Sequence, residues 1–342
     1  MGNQIEVGPY RITTYPAPPS QFDPLKASPS ELRSYGFPPM PEEDRAPELH
    51  RVWKRAVRQM KNYIEPSFQL APYRRKNNSP PLEEADTSGA VIHNVPNSGW
   101  SGGVVDTWQG NQTYAYLITG QWTIPNPYVQ PYTTFTQVGG IICEISPWIG
   151  LEDVINGTLF QAGADLDASL APSLFTTAPL MTSIDVWWEW FPGPSVGIGF
   201  PLAFGDTLYC QLTLMSPTQG NIFMQNPNAG SYTQFDVQAP EGVTSNPTWA
   251  CWIMEAPELQ TDDETFQAQP SGYGVAYCDE CIAVSANQET DSFGIWFPGH
   301  GSNPGPYTTL YDTVQSGTDK SIATIENTEL LKFTTGPVGS VD

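Results

Sequence analysis

Three short segments bring together residue types that can activate water. Side chains two apart share one face of a β-strand, so in LFQAGAD the residues Leu159, Gln161, Gly163 and Asp165 point together. The same rule aligns Asp185, Trp187, Glu189 and Phe191 in IDVWWEWFP, with Val186, Trp188 and Trp190 opposite. In TWACWIMEAP it aligns Trp249, Cys251, Ile253 and Glu255. A carboxylate beside Trp and Ile loses water, and desolvation raises its pKa toward values useful for acid and base work. Glu189 and Glu255 both meet that description. Residues 77–342 offer only Lys320 and Lys332 as cations, so buried carboxylates there need hydrogen bonds or shared protons.

The familiar nucleophile systems fail on inspection. There is no GxSxG elbow, and no His lies in any of the three segments. Five cysteines, Cys143, Cys210, Cys251, Cys278 and Cys281, are too few and too odd in number for a disulfide framework. Cys278-Asp-Glu-Cys281 has no second CxxC, and His50, His93 and His300 show no ligand spacing. Neither a metal nor a cofactor is expected; a local disulfide or two thiols on one strand is. What remains is carboxylate chemistry on peptide bonds or, with two carboxylates such as Glu189 and Glu255, on glycosidic bonds. A third reading is a silent, lectin-like sandwich whose 11 Trp stack on sugars.

The elements that must hold these residues are strands. After residue 90 the chain runs in short alternating segments rich in Thr, Tyr, Trp, Val and Ile, separated by Gly, Pro and Asn. Examples are Tyr114 to Thr123, Ser183 to Phe191, Thr207 to Leu214 and Thr248 to Glu255. Without helical crossovers, they predict an all-β fold, an antiparallel sandwich or barrel. One amphipathic helix is expected over about 44–64, where Leu49, Val52, Trp53, Ala56, Val57, Met60 and Ile64 recur at helical spacing and Arg51, Lys54, Arg55, Arg58 and Lys61 line the other side. The expected organisation is a basic N-terminal extension over 1–76, a linker over 77–94 rich in charge and Pro, and a β-sandwich over 95–342.

Charge divides at the same place. Residues 1–76 hold 12 of the 14 Lys and Arg and 8 of the 36 Asp and Glu, a net of +4, leaving −26 on the rest. Such a body repels nucleic acid and anionic membrane, so neither is an expected partner. Its carboxylates become neutral in acid while few cations replace them, which suits acidic surroundings. The basic extension is expected to dock on the acidic body as a pro-segment or as a permanent neighbour, with Arg74-Arg75-Lys76 as a candidate processing site. No apolar run is long enough for a membrane helix. The first twenty residues lack the apolar stretch of a secretory signal; secretion of a monomer is nevertheless the expectation.

Six segments in order resemble the eqolisins, the glutamic peptidases. NSGWSGGVV (97–105) is similar to the family's opening Trp-Gly-Gly strand, TGQWTIPNP (119–127) to its strand ending in a Val-Pro turn, and SPWIGLED (146–153) to its Trp-Val-Gly-Ile-Asp segment. LFQAGAD, WWEWFP and CWIMEAP resemble the Leu-Gln-Thr-Gly, Trp-Tyr-Glu-Trp-Tyr-Pro and catalytic Glu segments. The resemblance implies a lectin-like, concanavalin A-like sandwich of two curved antiparallel sheets. It also implies an endopeptidase acting on polypeptides, with Glu255 as general base then acid and Gln161 holding the water and the oxyanion. Trp100, Trp148, Asp165 and Glu189 are then the supporting residues. Two departures stand out: a Glu often found four residues before the catalytic Glu is Cys251, and the Asp of the Trp-Val-Gly-Ile-Asp segment falls on Glu152 or Asp153.

Overall fold

The alternating segments become strands, in a computed structural model that describes residues 2–71, 74–75, 95–97, 99–130, 141–170, 180–260, 265–315 and 318–336. The chain opens with β1 (Asn3–Val7), β2 (Tyr10–Thr14), α1 (Pro29–Ser34), α2 (Pro47–Gln59), β3 (Asn62–Tyr63), β4 (Phe68–Leu70) and β5 (Arg74–Arg75). There follow β6 (Val95–Asn97), β7 (Trp100–Asp106), α3 (Thr107–Asn111), β8 (Tyr114–Thr123), β9 (Ile141–Asp153), β10 (Thr158–Leu170), β11 (Leu180–Phe191) and β12 (Val196–Ile198). Next are β13 (Thr207–Ser216), β14 (Gln219–Asn226), β15 (Ser231–Gln238), β16 (Trp249–Glu255), β17 (Glu258–Gln260), β18 (Thr265–Gln267) and β19 (Val275–Asn287). The last are β20 (Ser292–Trp296), β21 (Gly299–His300), β22 (Asn303–Pro304), β23 (Thr308–Gln315), β24 (Thr318–Asn327) and β25 (Leu330–Thr335).

Antiparallel pairing builds two walls. One runs β4-β12-β11-β10-β9-β16-β7, the other β1-β2-β15-β14-β13-β8-β19. They join through β23, β24 and β25, which carry the ladder from β7 to β19. The walls of this sandwich are therefore parts of one continuous sheet, and the join leaves no unpaired edge between β7 and β19.

Period two decides what lies between the walls. Ile149, Phe160, Trp188, Trp190 and Trp252 of the first wall pack on Leu208, Cys210, Leu212, Ile222, Met224 and Phe235 of the second. Trp252 Nε1 crosses to donate to the Thr119 carbonyl at 2.7 Å. The alternate residues Trp148, Trp187, Cys251 and Ile253 form a separate apolar cluster on the other face of the first wall.

The outer face of the second wall is covered by the helices. Leu49, Val52, Trp53, Ala56 and Val57 of α2 meet Leu117, Tyr209, Phe223 and Ile282. Basic residues of α2 find the acidic body, with Arg55 2.6 Å from Glu280 and Arg51 2.6 Å from Glu329. The helix is shorter than the expected 44–64. It starts with Pro47 in its first turn and stops at Gln59, because the Lys61 and Asn62 N–H groups both donate to the Gly230 carbonyl and lead the chain into a parallel pairing with β15. Those donors take the Gly230 carbonyl in place of the Val57 and Arg58 carbonyls that another helical turn would offer them.

Residues 3–70 also enter both walls. β2 pairs with β15, β4 with β12, and Tyr10 and Ile12 lie in the main core. The linker expected over 77–94 lies outside the described residues. The five cysteines are buried free thiols; of the two arrangements expected for Cys278 and Cys281, the molecule has two thiols on β19.

Candidate active site

Register sets the first wall's cluster-bearing face. Reading across β11, β10, β9 and β16, one rung holds Glu189, Gln161, Gly150 and Cys251. The next holds Trp187, Gly163, Trp148 and Ile253. Asp185 pairs with Asp165, and Ser146 pairs with Glu255, which pairs in turn with Trp100 on β7. Gln161 and Glu255 thus sit two rungs apart, and the indole of Trp148 occupies the rung between them.

Two glycines make that placement possible. A Cβ on Gly163 would lie 2.1 Å from the Pro147 carbonyl oxygen and 2.7 Å from Trp148 Cβ. A Cβ on Gly150 would lie 3.0 Å from the Trp148 ring and 3.2 Å from Gln161 Cβ. Both strands carry hydrogen in place of a side chain where the indole passes.

Glu255 is 3% exposed and is held by neutral donors. Trp148 Nε1 donates to its Oε2 at 2.8 Å, and Trp100 Nε1 to its Oε1 at 3.3 Å. The two indoles meet edge to face, with centroids 5.1 Å apart and an angle of 77°. Hydrogen bonds to an ionised carboxylate favour the charged form where burial opposes it. The donors lie in a sheet whose strands β7, β9, β10, β11 and β16 contain neither Lys nor Arg.

Gln161, also 3% exposed, forms a second group. Its Nε2 donates to Glu189 Oε2 at 2.6 Å, and Ser195 Oγ donates to Glu189 Oε1 at 3.0 Å. Gln161 Oε1 is buried without a hydrogen-bond partner among the described residues. A buried amide oxygen left so costs about 1–3 kcal/mol, and such an atom facing a polar site is suited to receive a proton donor from outside. Ser146 Oγ donates to Asp165. Burial, and then the facing Asp165, raise the pKa of Asp185 above the ordinary carboxylate value.

All six residues expected at the site, Trp100, Trp148, Gln161, Asp165, Glu189 and Glu255, lie on this face. Direct bonds tie Trp100 and Trp148 to Glu255, tie Glu189 to Gln161, and place Asp165 with Ser146. Glu152 and Asp153 take different places. Glu152 shares the parity of Trp148 and Gly150 and lies 4.0 Å from Cys251 Sγ, whereas Asp153 accepts from the Ile155 and Asn156 N–H groups at the following turn. Burial, and then Glu152, push the Cys251 thiol well above its usual pKa, so it is an inert packing residue. Sequence reasoning missed Ser146, although it shares the parity of Trp148. It also missed Ser195, which follows the Phe191-Pro192 pair and lies beyond the period-two signal. Among the described residues no three His, Cys, Asp or Glu are placed to hold a metal ion.

Comparison with known proteins follows the same segments. A model of the Peptidase A4 family matches residues 98–299. A crystal structure of scytalido-glutamic peptidase with a transition state analog inhibitor superposes with a TM-score of 0.51 at 14% identity, covering 70% of this chain and 98% of that one. A second, with a peptide-based transition state analog, gives 0.51 at 13% identity over the same shares. Among curated protein sequences none matches this chain.

Proposed function

The chain belongs to the Peptidase A4 family, the eqolisins, and is a peptide hydrolase; from that premise we propose that it is a monomeric endopeptidase of acidic, extracellular surroundings in which Glu255 and Gln161 carry the reaction. Membership of a peptidase family leaves the lectin and glycosidase readings without support. The observation that carries the proposal is the pairing of a buried carboxylate held by two indole N–H groups with a buried amide whose oxygen has no partner, on one face of one wall.

Ionised Glu255 takes a proton from a water, and the water oxygen adds to the scissile carbonyl carbon. The amide N–H of Gln161 that is not given to Glu189 donates to the resulting oxyanion, while its Oε1 accepts from the attacking water. Protonated Glu255 then gives its proton to the leaving nitrogen as the C–N bond breaks. Trp100 and Trp148 orient the carboxylate and support its charge, and a preorganised donor such as Gln161 needs no reorganisation as negative charge develops. An amide suits acid because it donates at pH values where an imidazole is fully protonated.

Digestion of a denatured protein between about pH 2 and 5 tests this. Gln161→Ala should lower kcat by about 10²–10³, the cost of one oxyanion donor in comparable sites, and Glu255→Gln should abolish turnover. Cutting that survives either change at the wild-type rate refutes the pair.

A further inference from the structure

Gln161 can present either end of its amide to a substrate, and Glu189 selects which. Both Glu189 oxygens accept hydrogen bonds, one from Gln161 Nε2 at 2.6 Å and one from Ser195 Oγ at 3.0 Å. With the amide reversed, Gln161 Oε1 would face a carboxylate oxygen, two acceptors with no proton between them. Ser195 thus occupies the other oxygen of the carboxyl group that fixes the amide. The other carboxyl groups of this parity on β9, β10, β11 and β16 are Glu144, Glu152, Asp165, Asp167, Asp185 and, past Trp148, Glu255, and no Lys or Arg lies on these strands.

The turn that carries Ser195 is held by the N-terminal extension. Ala71 N–H donates to the Ser195 carbonyl at 2.9 Å, directly after β4 pairs with β12. Tyr10 Oη lies 2.8 Å from the Pro194 carbonyl and 3.2 Å from that of Trp190. Gly193 admits it, since a Cβ there would sit 2.2 Å from Tyr10 Oη.

We propose that Ser195 is a positioning residue for peptide hydrolysis, acting through Glu189 to orient Gln161, and that Ala71 and Tyr10 of the N-terminal extension hold its turn in the working enzyme. The inference rests on Gln161 and Glu255 being the reacting pair.

The test measures kcat and KM separately across pH for the full chain on a peptide substrate. Ser195→Ala should lower kcat about tenfold or more, the effect of one hydrogen bond to a charged group, with KM little changed. Its acid limb should move to higher pH, because a carboxylate that loses a donor takes up a proton more readily. In a Glu189→Ala background the same change should add nothing, since the effect runs through Glu189. Ala71→Pro, which removes the backbone donor, should lower kcat in the same direction. Unchanged kcat and acid limb in Ser195→Ala, or an equal further loss in the Glu189→Ala background, overturns the role of Ser195. Unchanged kcat in Ala71→Pro overturns the role of the extension. Glu255→Gln is run beside them: if it cuts normally the reacting pair is wrong, and if it is dead while Ser195→Ala is unaffected only this inference fails.

Discussion

In a body almost free of cations a buried carboxylate either borrows one from the extension, as Glu280 does from Arg55, or takes neutral donors, and Glu255 and Glu189 illustrate two forms of the second. Glu255 takes indole N–H groups from Trp100 and Trp148; Glu189 is bound to Gln161 and Ser195. Periodicity alone made the two carboxylates equal candidates, because both lie beside Trp on a strand. Their partners separate them, and those partners come from other strands and a turn. Trp148→Phe removes the 2.8 Å donor while keeping most of the ring. It should cost roughly tenfold or more in kcat/KM, a charge-assisted hydrogen bond being worth about 1.5–3 kcal/mol. The acid limb should also move to higher pH as the ionised form of Glu255 loses a donor. A kcat/KM profile identical to wild type would show that the indole only fills space.

At the scale of elements, strand identity was legible and register was not. Tyr114–Thr123 is read from its alternation at its observed bounds, and the segment ending at Glu255 is read to within one residue. Which residues face one another follows from neither segment alone, because a one-residue slip turns every side chain to the opposite face. Gly163 and Gly150 bear on that choice. Gly163→Ala should push β9 away from β10, costing about 1–3 kcal/mol of stability as an overpacked site and lowering activity through Trp148. Thermal unfolding together with kcat measures both, and a variant with unchanged Tm and activity would mean the strands part freely. The amphipathic helix was equally plain in its apolar spacing, yet its end was set by Gly230, 169 residues past Lys61 and invisible to local pattern.

For the whole molecule, acidity is a matter of stability as well as charge. Burial raises the pKa of Asp106, Asp185, Asp312 and Glu329. Each binds its proton more tightly folded than unfolded, so each contributes stability that is complete below the ordinary carboxylate range and lost as pH rises through the folded value. Lower repulsion within the −26 body acts in the same direction. Asp23 and Glu31, with lowered values from hydrogen bonds to Lys26 and to Ser28, act the opposite way but lie at the surface. Tm should therefore rise as pH falls from about 7 to about 4; calorimetry showing a steady fall over that range would overturn the assignment of these groups. The basic helix sits on the outer face of the second wall, across the core from Glu255, while β4 with Ala71 borders the Ser195 turn and β5 pairs with β17, which begins three residues after Glu255.

The sequence by itself determined an acidic all-β body, one basic amphipathic helix, and, through six ordered segments, the residues Gln161 and Glu255. The body and the helix follow from composition and short-range periodicity, which a single strand or helix already expresses, whereas Gln161 and Glu255 are singled out only by the resemblance of those segments to the family. Only the tertiary structure decided that the walls are one continuous sheet, that residues 3–70 belong to both, and that Ser195 and Ser146 bear on the site. Those outcomes depend on pairings between residues far apart in the chain, where hydrogen bonds and close packing choose partners that no local pattern encodes.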